Sequence, residues 1–372
     1  MSRHAYWIAT LVFGVLVWAK FDSKTGLTSL IRFGDAWQDR RLSVLQGLPL
    51  ATVGASNGYD GQFYAQLALD PLLRSSELDR VIDAPAYRAR RILAPAVAAV
   101  LGWGRPWRVL QAYALLNVAC WLALAWLLRR LTQSDGWVGF ARWAGCMFSM
   151  GVLDSVRQSL VDLPAFLALA GATLLWTESG SAKPALLLAL GNLTKETNLL
   201  GTLALHASGL SDRTHRKRSL ILLILAALPI GLWSLYVQHR FGGDTAGTGL
   251  GNFTWPLLGL IGQARQCLVE LLQGNFDGRY AFGLLAIVGL LAQAAVIWRR
   301  PDFGNTWWRL GAAYAVLLPF LGLWVWSGYW AACRAVLPLT VAFNLLLPVN
   351  RSFWPLWALG NLTLVHALWR FL

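Results

Sequence analysis

Charged residues are scarce in this sequence. They make up 13% of its 372 residues, whereas hydrophobic residues make up 56%. Soluble domains carry roughly 25% charged residues. Several segments have almost no charge over about 15 to 20 residues, near the minimum that crosses a hydrocarbon core of about 30 Å: Ala5–Ala19, Ser219–Val237, Ala281–Trp298 and Leu310–Trp326. These features exclude a soluble domain and predict a polytopic integral membrane protein.

Cysteine and histidine are also few, and neither has the spacing of a metal site. The four cysteines lie in separate apolar segments, which argues against a disulfide framework: Cys120, Cys146, Cys267 and Cys333. The five histidines are scattered without ligand spacing, so a zinc or haem site is not expected. We therefore predict no cofactor and no protein-bound metal. The need for a metal ion in the reaction stays open.

The excess of basic residues has a pattern that indicates a membrane rather than nucleic acid. Much of the net charge of +14 lies in short loops at Arg129–Arg130, Arg213–Arg218 and Arg299–Arg300. Such loops are typically cytoplasmic, and the 21 tryptophans fit aromatic belts at the membrane interfaces. The first apolar segment lacks a small-residue cleavage site, so we interpret it as a retained anchor. We predict membrane lipids as partners and a multi-pass location in a bacterial inner membrane.

The apolar segments predict an all-α protein with about 10 to 11 transmembrane helices in a single domain, 1–372. A long polar segment, 20–106, is predicted to be the first extracytoplasmic loop and to carry short amphipathic helices. A second long extracytoplasmic loop is predicted at 239–280. The stretch Ala185–Leu210 is too long for one straight crossing, and we expect two short helices that meet at Lys195-Glu196. The other predicted spans are Trp107–Leu128, Trp137–Leu153, Leu163–Trp176, Tyr329–Leu347 and Trp354–Trp369.

The predicted path brings several polar residues to one side of the membrane. The orientation was chosen from the basic loops alone. It nevertheless places five charged residues together on the extracytoplasmic side: Asp60, Asp154, Asp162, Lys195 and Glu196. Ionisable residues at membrane depth are functional candidates by default. The extracytoplasmic side is therefore where we expect a site.

The most informative segment is Gly58–Pro71, in which Asp60 stands among aromatic residues just before a helix-like run. One interpretation is that Asp60 caps this helix while the aromatic residues rest on the membrane interface. The other interpretation is a carboxylate that faces a cleft and acts as a general base. The residues alone leave both open.

This segment resembles the first extracytoplasmic loop of the GT-C-type membrane glycosyltransferases. Within that family, the sequence of this segment most resembles the mannosyltransferases that act on lipid anchors. Four further segments are similar to later parts of that family: Tyr87–Pro95, Asp154–Asp162, Leu193–Thr197 and Tyr329–Pro338. The resemblance implies transfer of a sugar from a polyprenyl-phosphate donor to a lipid, glycan or protein acceptor at the outer face. No Asp-x-Asp or Glu-x-Asp pair accompanies Asp60, so no metal site is carried over.

The resemblance also implies roles for individual residues. Asp60 would take the proton of the acceptor hydroxyl, and Arg334 would stabilise the departing phosphate, since its planar fork matches phosphate oxygens. Lys195 and Arg91 would also hold the donor phosphate. The remaining candidates for substrate binding are Tyr59, Gln62, Tyr64, Asp154, Asp162 and Glu196.

Each of these residues also has a structural interpretation. Arg334 could extend its charge to the membrane surface, and Lys195 and Glu196 could pair with each other or cap the two short helices. Asp154 and Asp162 could also be helix caps. At the level of function, the alternatives are a transporter or flippase of a lipid-linked sugar, and a non-catalytic subunit. The absence of an internal repeat argues against the transporter.

Overall fold

The described part of the protein is mainly α-helical, as predicted. The computed structural model describes residues 2–179, 183–211, 213, 215–242, 249 and 251–372. Two predicted features are therefore only partly described, because Thr214 of the basic loop and residues 243–248 of the second long loop lie outside the described residues. The helices in the described part are Ser2–Trp18, Gly61–Leu69, Leu78–Val81, Pro85–Ala89, Leu93–Leu101, Pro106–Thr132, Gly136–Met147, Met150–Arg157, Asp162–Ser179, Lys183–Thr194, Asn198–Ser211, Arg216–Phe241, Leu258–Leu272, Gly278–Arg299, Thr306–Leu317, Leu323–Ser327, Tyr329–Ala335, Leu337–Leu346, Phe353–Gly360 and Leu364–Phe371.

Three of the described helical segments are long and apolar enough to cross a membrane: Pro106–Met147, Arg216–Phe241 and Gly278–Arg299. A fourth is added when the bent pair Tyr329–Ala335 and Leu337–Leu346 is counted as one span. Large aliphatic side chains on the second of these helices point away from the protein, with Leu225, Leu232 and Leu235 more than half exposed. An apolar surface of this kind fits contact with lipid.

Proline residues divide two of the predicted spans. The span expected at Tyr329–Leu347 bends by 66° after Ala335, because Pro338 has no N–H for the hydrogen bond that would continue the helix. The span expected at Leu310–Trp326 ends at Leu317, before a 3-10 turn that contains Pro319. The first of these breaks leaves Arg334 in the last turn of a short helix, next to a bend.

The segment 20–105 forms a compact polar layer of short elements. It contains two parallel two-residue strands, Phe33–Gly34 and Thr52–Val53, and the almost fully buried helix Gly61–Leu69. Gly61 lies against the backbone of the loop before Asp162, so closely that a Cβ there would be 2.1 Å from the carbonyl oxygen of Gln158. This close approach places Asp60 beside that loop.

Candidate functional site

A cavity of about 370 Å³ lies where the polar layer meets the helices. Its wall combines residues from distant parts of the sequence, so it is a product of the fold. Charged and polar side chains form much of that wall: Asp60, Tyr64, Tyr87, Arg91, Asp162, Lys195, Glu196, Thr197, Asn252 and Arg334.

Asp60 is held by an arginine and does not cap its helix. It occupies the N-cap position of Gly61–Leu69, but its side chain makes no capping hydrogen bond. Both carboxylate oxygens instead contact Arg88, with Oδ1 2.8 Å from Nη2 and Oδ2 2.8 Å from Nη1. Arg88 also pairs with Asp83 at 2.8 Å. The capping interpretation is therefore wrong, and the Asp60 side chain remains 34% exposed in the cavity wall.

Electrostatics keep Asp60 ionised. Burial opposes its charged form, but the guanidinium of Arg88, followed by Arg334 and Arg91, lowers the pKa of Asp60 below its ordinary value. The same ion pair raises the pKa of Arg88 despite burial of that side chain. Asp60 is thus a carboxylate at any physiological pH and can accept a hydrogen bond from a hydroxyl group.

Arg334 is buried and does not extend its charge to the membrane surface. Its side chain is 7% exposed, and its Nη1 donates to Asp162 at 3.2 Å while Nη2 donates to the Tyr59 hydroxyl at 2.8 Å. Its Nε lies 3.2 Å from a carboxylate oxygen of Asp154. Each terminal nitrogen of a guanidinium carries two N–H groups, so one on each remains for a ligand. The Tyr59 contact also ties the Asp60 segment to the Arg334 helix.

Lys195 and Glu196 are neighbours in sequence but have different partners. Lys195 donates to Asp162 at 2.5 Å, and Glu196 forms a two-bonded pair with Arg91 at 2.8 and 2.5 Å. Their side chains do not pair with each other, so that interpretation is wrong. Their backbones do cap the two short helices: the Lys195 N–H donates to a carbonyl of the first helix at 2.9 Å, and the carbonyls of Lys195 and Glu196 accept from the first N–H groups of the second helix at 3.0 and 3.1 Å. The break between helices Lys183–Thr194 and Asn198–Ser211, which was predicted here, lets the two side chains diverge.

Arg91 has little capacity left for a ligand. Besides Glu196, it donates to the hydroxyls of Tyr64 at 2.9 Å and Tyr87 at 2.5 Å. Four of its five N–H groups are thus engaged within the protein, whereas Lys195 donates only one of its three to Asp162. Lys195 and Arg334 are better equipped than Arg91 to hold a phosphate.

Most of the ion pairs at and behind the cavity wall belong to two clusters of opposite net charge. The Asp60 cluster (Asp60, Asp83 and Arg88) has two carboxylates for one cation. The Arg334 cluster (Asp154, Asp162, Lys195, Arg334 and Arg370) has three cations for two carboxylates. The Arg91–Glu196 pair adds no net charge. The cavity therefore has a negative part around Asp60 and a positive part around Arg334.

Three predicted substrate-binding residues lie outside the cavity wall: Tyr59, Gln62 and Asp154. Tyr59 accepts from Arg334 through its hydroxyl. Gln62 accepts from the backbone N–H of Gly34 at 3.1 Å and donates to the carbonyl of Asn57 at 2.7 Å, so it fixes the turn that leads to Asp60. Asp154 is buried behind Arg334, where it also accepts from Gln158 at 2.6 Å. All three support residues that do face the cavity.

Arg88, Asp83, Tyr87 and Arg370 were missed as site residues from the sequence. Arg88 and Arg91 are three residues apart: Arg88 is in helix Pro85–Ala89, and Arg91 follows the helix in a turn in which its N–H donates to the Arg88 carbonyl. The spacing could have identified Arg88 as a partner for a carboxylate. Arg370 reaches Asp154 from the other end of the chain, and no local signal marks it.

Neither a metal site nor a relative assigns the chemistry of this cavity. Among the described residues, no three His, Cys, Asp or Glu side chains are placed to hold a metal ion. No protein-family model, curated protein or solved structure matches the chain. The arrangement of charges in the cavity therefore carries the functional argument.

Proposed function

We propose that this protein is a membrane glycosyltransferase of the GT-C type that uses a polyprenyl-phosphate sugar as its donor. The observation that carries this proposal is the polarity of the cavity, in which an ionised carboxylate shares a wall with the spare donors of Arg334 and Lys195. An inverting sugar transfer needs these two features, a base for the incoming hydroxyl and a cation for the outgoing phosphate.

In the proposed reaction, the acceptor hydroxyl oxygen attacks C1 of the donor sugar. The bond between C1 and the phosphate oxygen breaks, and its electron pair leaves with the polyprenyl phosphate. The hydroxyl proton passes to the carboxylate of Asp60. A low pKa suits this role because the hydroxyl becomes acidic as its oxygen bonds to C1, so a weak base that is always charged suffices.

Arg334 and Lys195 would stabilise the leaving phosphate through the N–H groups that the protein leaves unused. Charge-assisted hydrogen bonds of this type are stronger than neutral ones, and the guanidinium fork matches two phosphate oxygens. Arg91, which is engaged by Glu196 and two tyrosines, would shape the cavity instead of binding the donor directly.

An apolar part of the same wall supports a lipid-linked donor. Phe253, Leu317, Leu321 and Val325 line the cavity together with the charged residues. A soluble sugar nucleotide would gain little from these side chains, whereas the first isoprene units of a polyprenyl chain would bury apolar surface on them.

We infer that the broken helices also cross the membrane, which gives about 10 to 11 crossings together with the long ones. The cavity then faces the extracytoplasmic side, and the membrane is the bacterial inner membrane. This orientation is supported by the basic loops at Arg129–Arg130 and Arg299–Arg300 and by the rule that such loops stay in the cytoplasm.

The proposal is tested with purified protein in detergent, supplied with a radiolabelled polyprenyl-phosphate hexose and an extract of membrane lipids and glycans as acceptors. We expect release of polyprenyl phosphate and transfer of label to an acceptor. A transporter or flippase needs two compartments and would leave the donor intact. An unchanged donor with every hexose tried, in protein that remains folded, would contradict the enzyme.

A further inference from the structure

A second cavity, of about 170 Å³, shares no lining residue with the cavity around Asp60. Its wall contains three cations, Lys20, Arg32 and Arg157, and otherwise uncharged residues. Within the part of the chain that the structure describes, no carboxylate belongs to this wall. We refer to it as the basic pocket.

Two cations of the basic pocket, Arg32 and Arg157, differ from those of the Arg334 cluster because they lack anionic partners. The guanidinium groups of Arg32 and Arg157 form no hydrogen bond or ion pair with any residue that the structure describes. Lys20 donates to the main-chain carboxyl oxygen of Leu372, the last residue of the sequence. All three side chains are half-buried, so water compensates their charges only in part.

These charges also repel one another. Burial, and then the charges of Arg157 and Arg32, lower the pKa of Lys20. Burial, and then the charge of Arg370, lower the pKa of Arg32 although Asp154 acts in the opposite direction. Arg32 has in addition a left-handed backbone with φ of 59°, which L residues adopt rarely and mostly at functional positions. The fold thus holds three cations together although their mutual repulsion is unfavourable in free energy, and an anion bound in the pocket would remove that repulsion.

The surroundings of the pocket indicate where such an anion would come from. Lys20 follows the first helix, Ser2–Trp18, and lies between Trp18 and Phe21. These two rings stack at 5.1 Å and are 71% and 46% exposed. Exposed aromatic rings next to a lysine at the end of an apolar helix are typical of the interface between hydrocarbon and water. Lipid phosphates lie at this depth.

We propose that the basic pocket binds a phosphate group that belongs to the headgroup of an anionic lipid. Arginine and lysine side chains match phosphate oxygens in charge and hydrogen bonding, and the hydroxyl group of Thr52 is in the same wall. This inference does not depend on the proposed glycosyltransferase activity.

The test measures the melting temperature of the purified full chain in detergent with phosphatidylglycerol, with zwitterionic phosphatidylcholine, or with inorganic phosphate. We expect phosphatidylglycerol to raise the melting temperature of the wild type more than phosphatidylcholine does. In Arg157→Gln the apparent affinity for phosphatidylglycerol should fall about tenfold or more, since a charge-assisted hydrogen bond is lost. Arg74→Gln is the matched control, because Arg74 is exposed in the same polar layer and does not line the pocket.

A second readout separates a binding role from a structural one. Without added anion, Arg157→Gln should be at least as stable as the wild type, because a repelled cation has been removed. Lys20→Gln repeats the measurement of lipid affinity at another position, in case Arg157→Gln fails to fold. A response to inorganic phosphate alone would support the phosphate site and overturn the lipid as its source. If Arg157→Gln and Lys20→Gln both respond to phosphatidylglycerol as Arg74→Gln does, the proposal is wrong.

Discussion

Arg88 contacts both carboxylate oxygens of Asp60, one through each terminal nitrogen at 2.8 Å. This ion pair decides the chemical state of Asp60, because burial alone would favour the neutral acid. It also fixes the orientation of the carboxylate, since a two-bonded arginine pair has little rotational freedom.

Asp60→Asn should abolish sugar transfer while the protein still inserts into the membrane. An amide cannot take a proton from the acceptor, and loss of a general base typically costs about a hundred- to ten-thousand-fold in rate. The measurement is product formation at equal amounts of folded protein. Asp79→Asn is the control, since Asp79 pairs with Arg240 at 3.2 Å in the same layer and lies outside the cavity wall. Equal activity of the two variants would remove the catalytic role of Asp60.

Arg88→Gln should move the acid limb of the pH–rate profile to higher pH. In the wild type the lowered pKa of Asp60 keeps the base ionised well into acid. Without Arg88, burial raises that pKa, so activity is lost at a higher pH as the solution is acidified. The ion pair also stabilises the fold above the unfolded-state pKa of Asp60, and that contribution disappears as the pH falls through the folded-state pKa. The variant should therefore be less stable than the wild type at neutral pH.

The profile of kcat/KM against pH checks the shift, and thermal melting at pH 7 checks the stability. Arg240→Gln provides the comparison, because it removes an arginine of the polar layer that pairs with Asp79. An acid limb that is the same in Arg88→Gln, Arg240→Gln and the wild type would mean that Asp60 does not set the pH dependence.

Arg334→Lys should lose most activity and keep the fold. The ammonium preserves the charge that Asp154 and Asp162 require but cannot reproduce two-bonded contact with phosphate. Arg334→Ala is less informative, because removal of one partner from a buried ion pair typically costs about 3 to 5 kcal/mol. Donor affinity and turnover of the Lys variant are the quantities to measure. Wild-type values for both would reduce Arg334 to a structural partner of the two aspartates.

Gly61→Ala should lower both stability and activity. Its Cβ would meet the Gln158 carbonyl oxygen at 2.1 Å, and relief of such a clash by backbone shifts typically costs about 1 to 3 kcal/mol. The shift would move Asp60 away from the Arg334 cluster. Gly54→Ala is a matched control, since a Cβ at Gly54 meets nothing within 4 Å. Thermal melting and the transfer assay together test this, and a fully active Gly61→Ala protein would contradict it.

The proposed orientation can be tested with single cysteines. Gly54→Cys in the polar layer should react with an impermeant thiol reagent added to intact cells, whereas Phe303→Cys beside the basic loop Arg299–Arg300 should react only after lysis. Both positions are exposed, and the four native cysteines are buried, so background labelling should be low. Labelling of Phe303→Cys in intact cells would show that the protein has the opposite orientation in the membrane.

Much of the helical layout could be predicted from the sequence because apolar runs are local. The break at Lys195-Glu196 followed from two charges in an apolar stretch too long for one span. The ion pairs could not be predicted, because partners such as Arg91 and Glu196, or Asp154 and Arg370, meet only after the helices are rotated and packed. The bend at Pro338 was missed for a simpler reason. One span was predicted over Tyr329–Leu347 from its apolar composition alone, and the proline near its middle divides it.

The positive excess of the Arg334 cluster has a consequence for turnover. In the proposed reaction the donor is a phosphodiester with one negative charge, whereas the outgoing polyprenyl phosphate is a monoester with more, so the cluster would attract the product at least as strongly as the donor. Asp162 contacts both Lys195 and Arg334, so its negative charge offsets part of this attraction. Release of polyprenyl phosphate, and not bond breaking, would then be the rate-limiting step, as product release is in many enzymes.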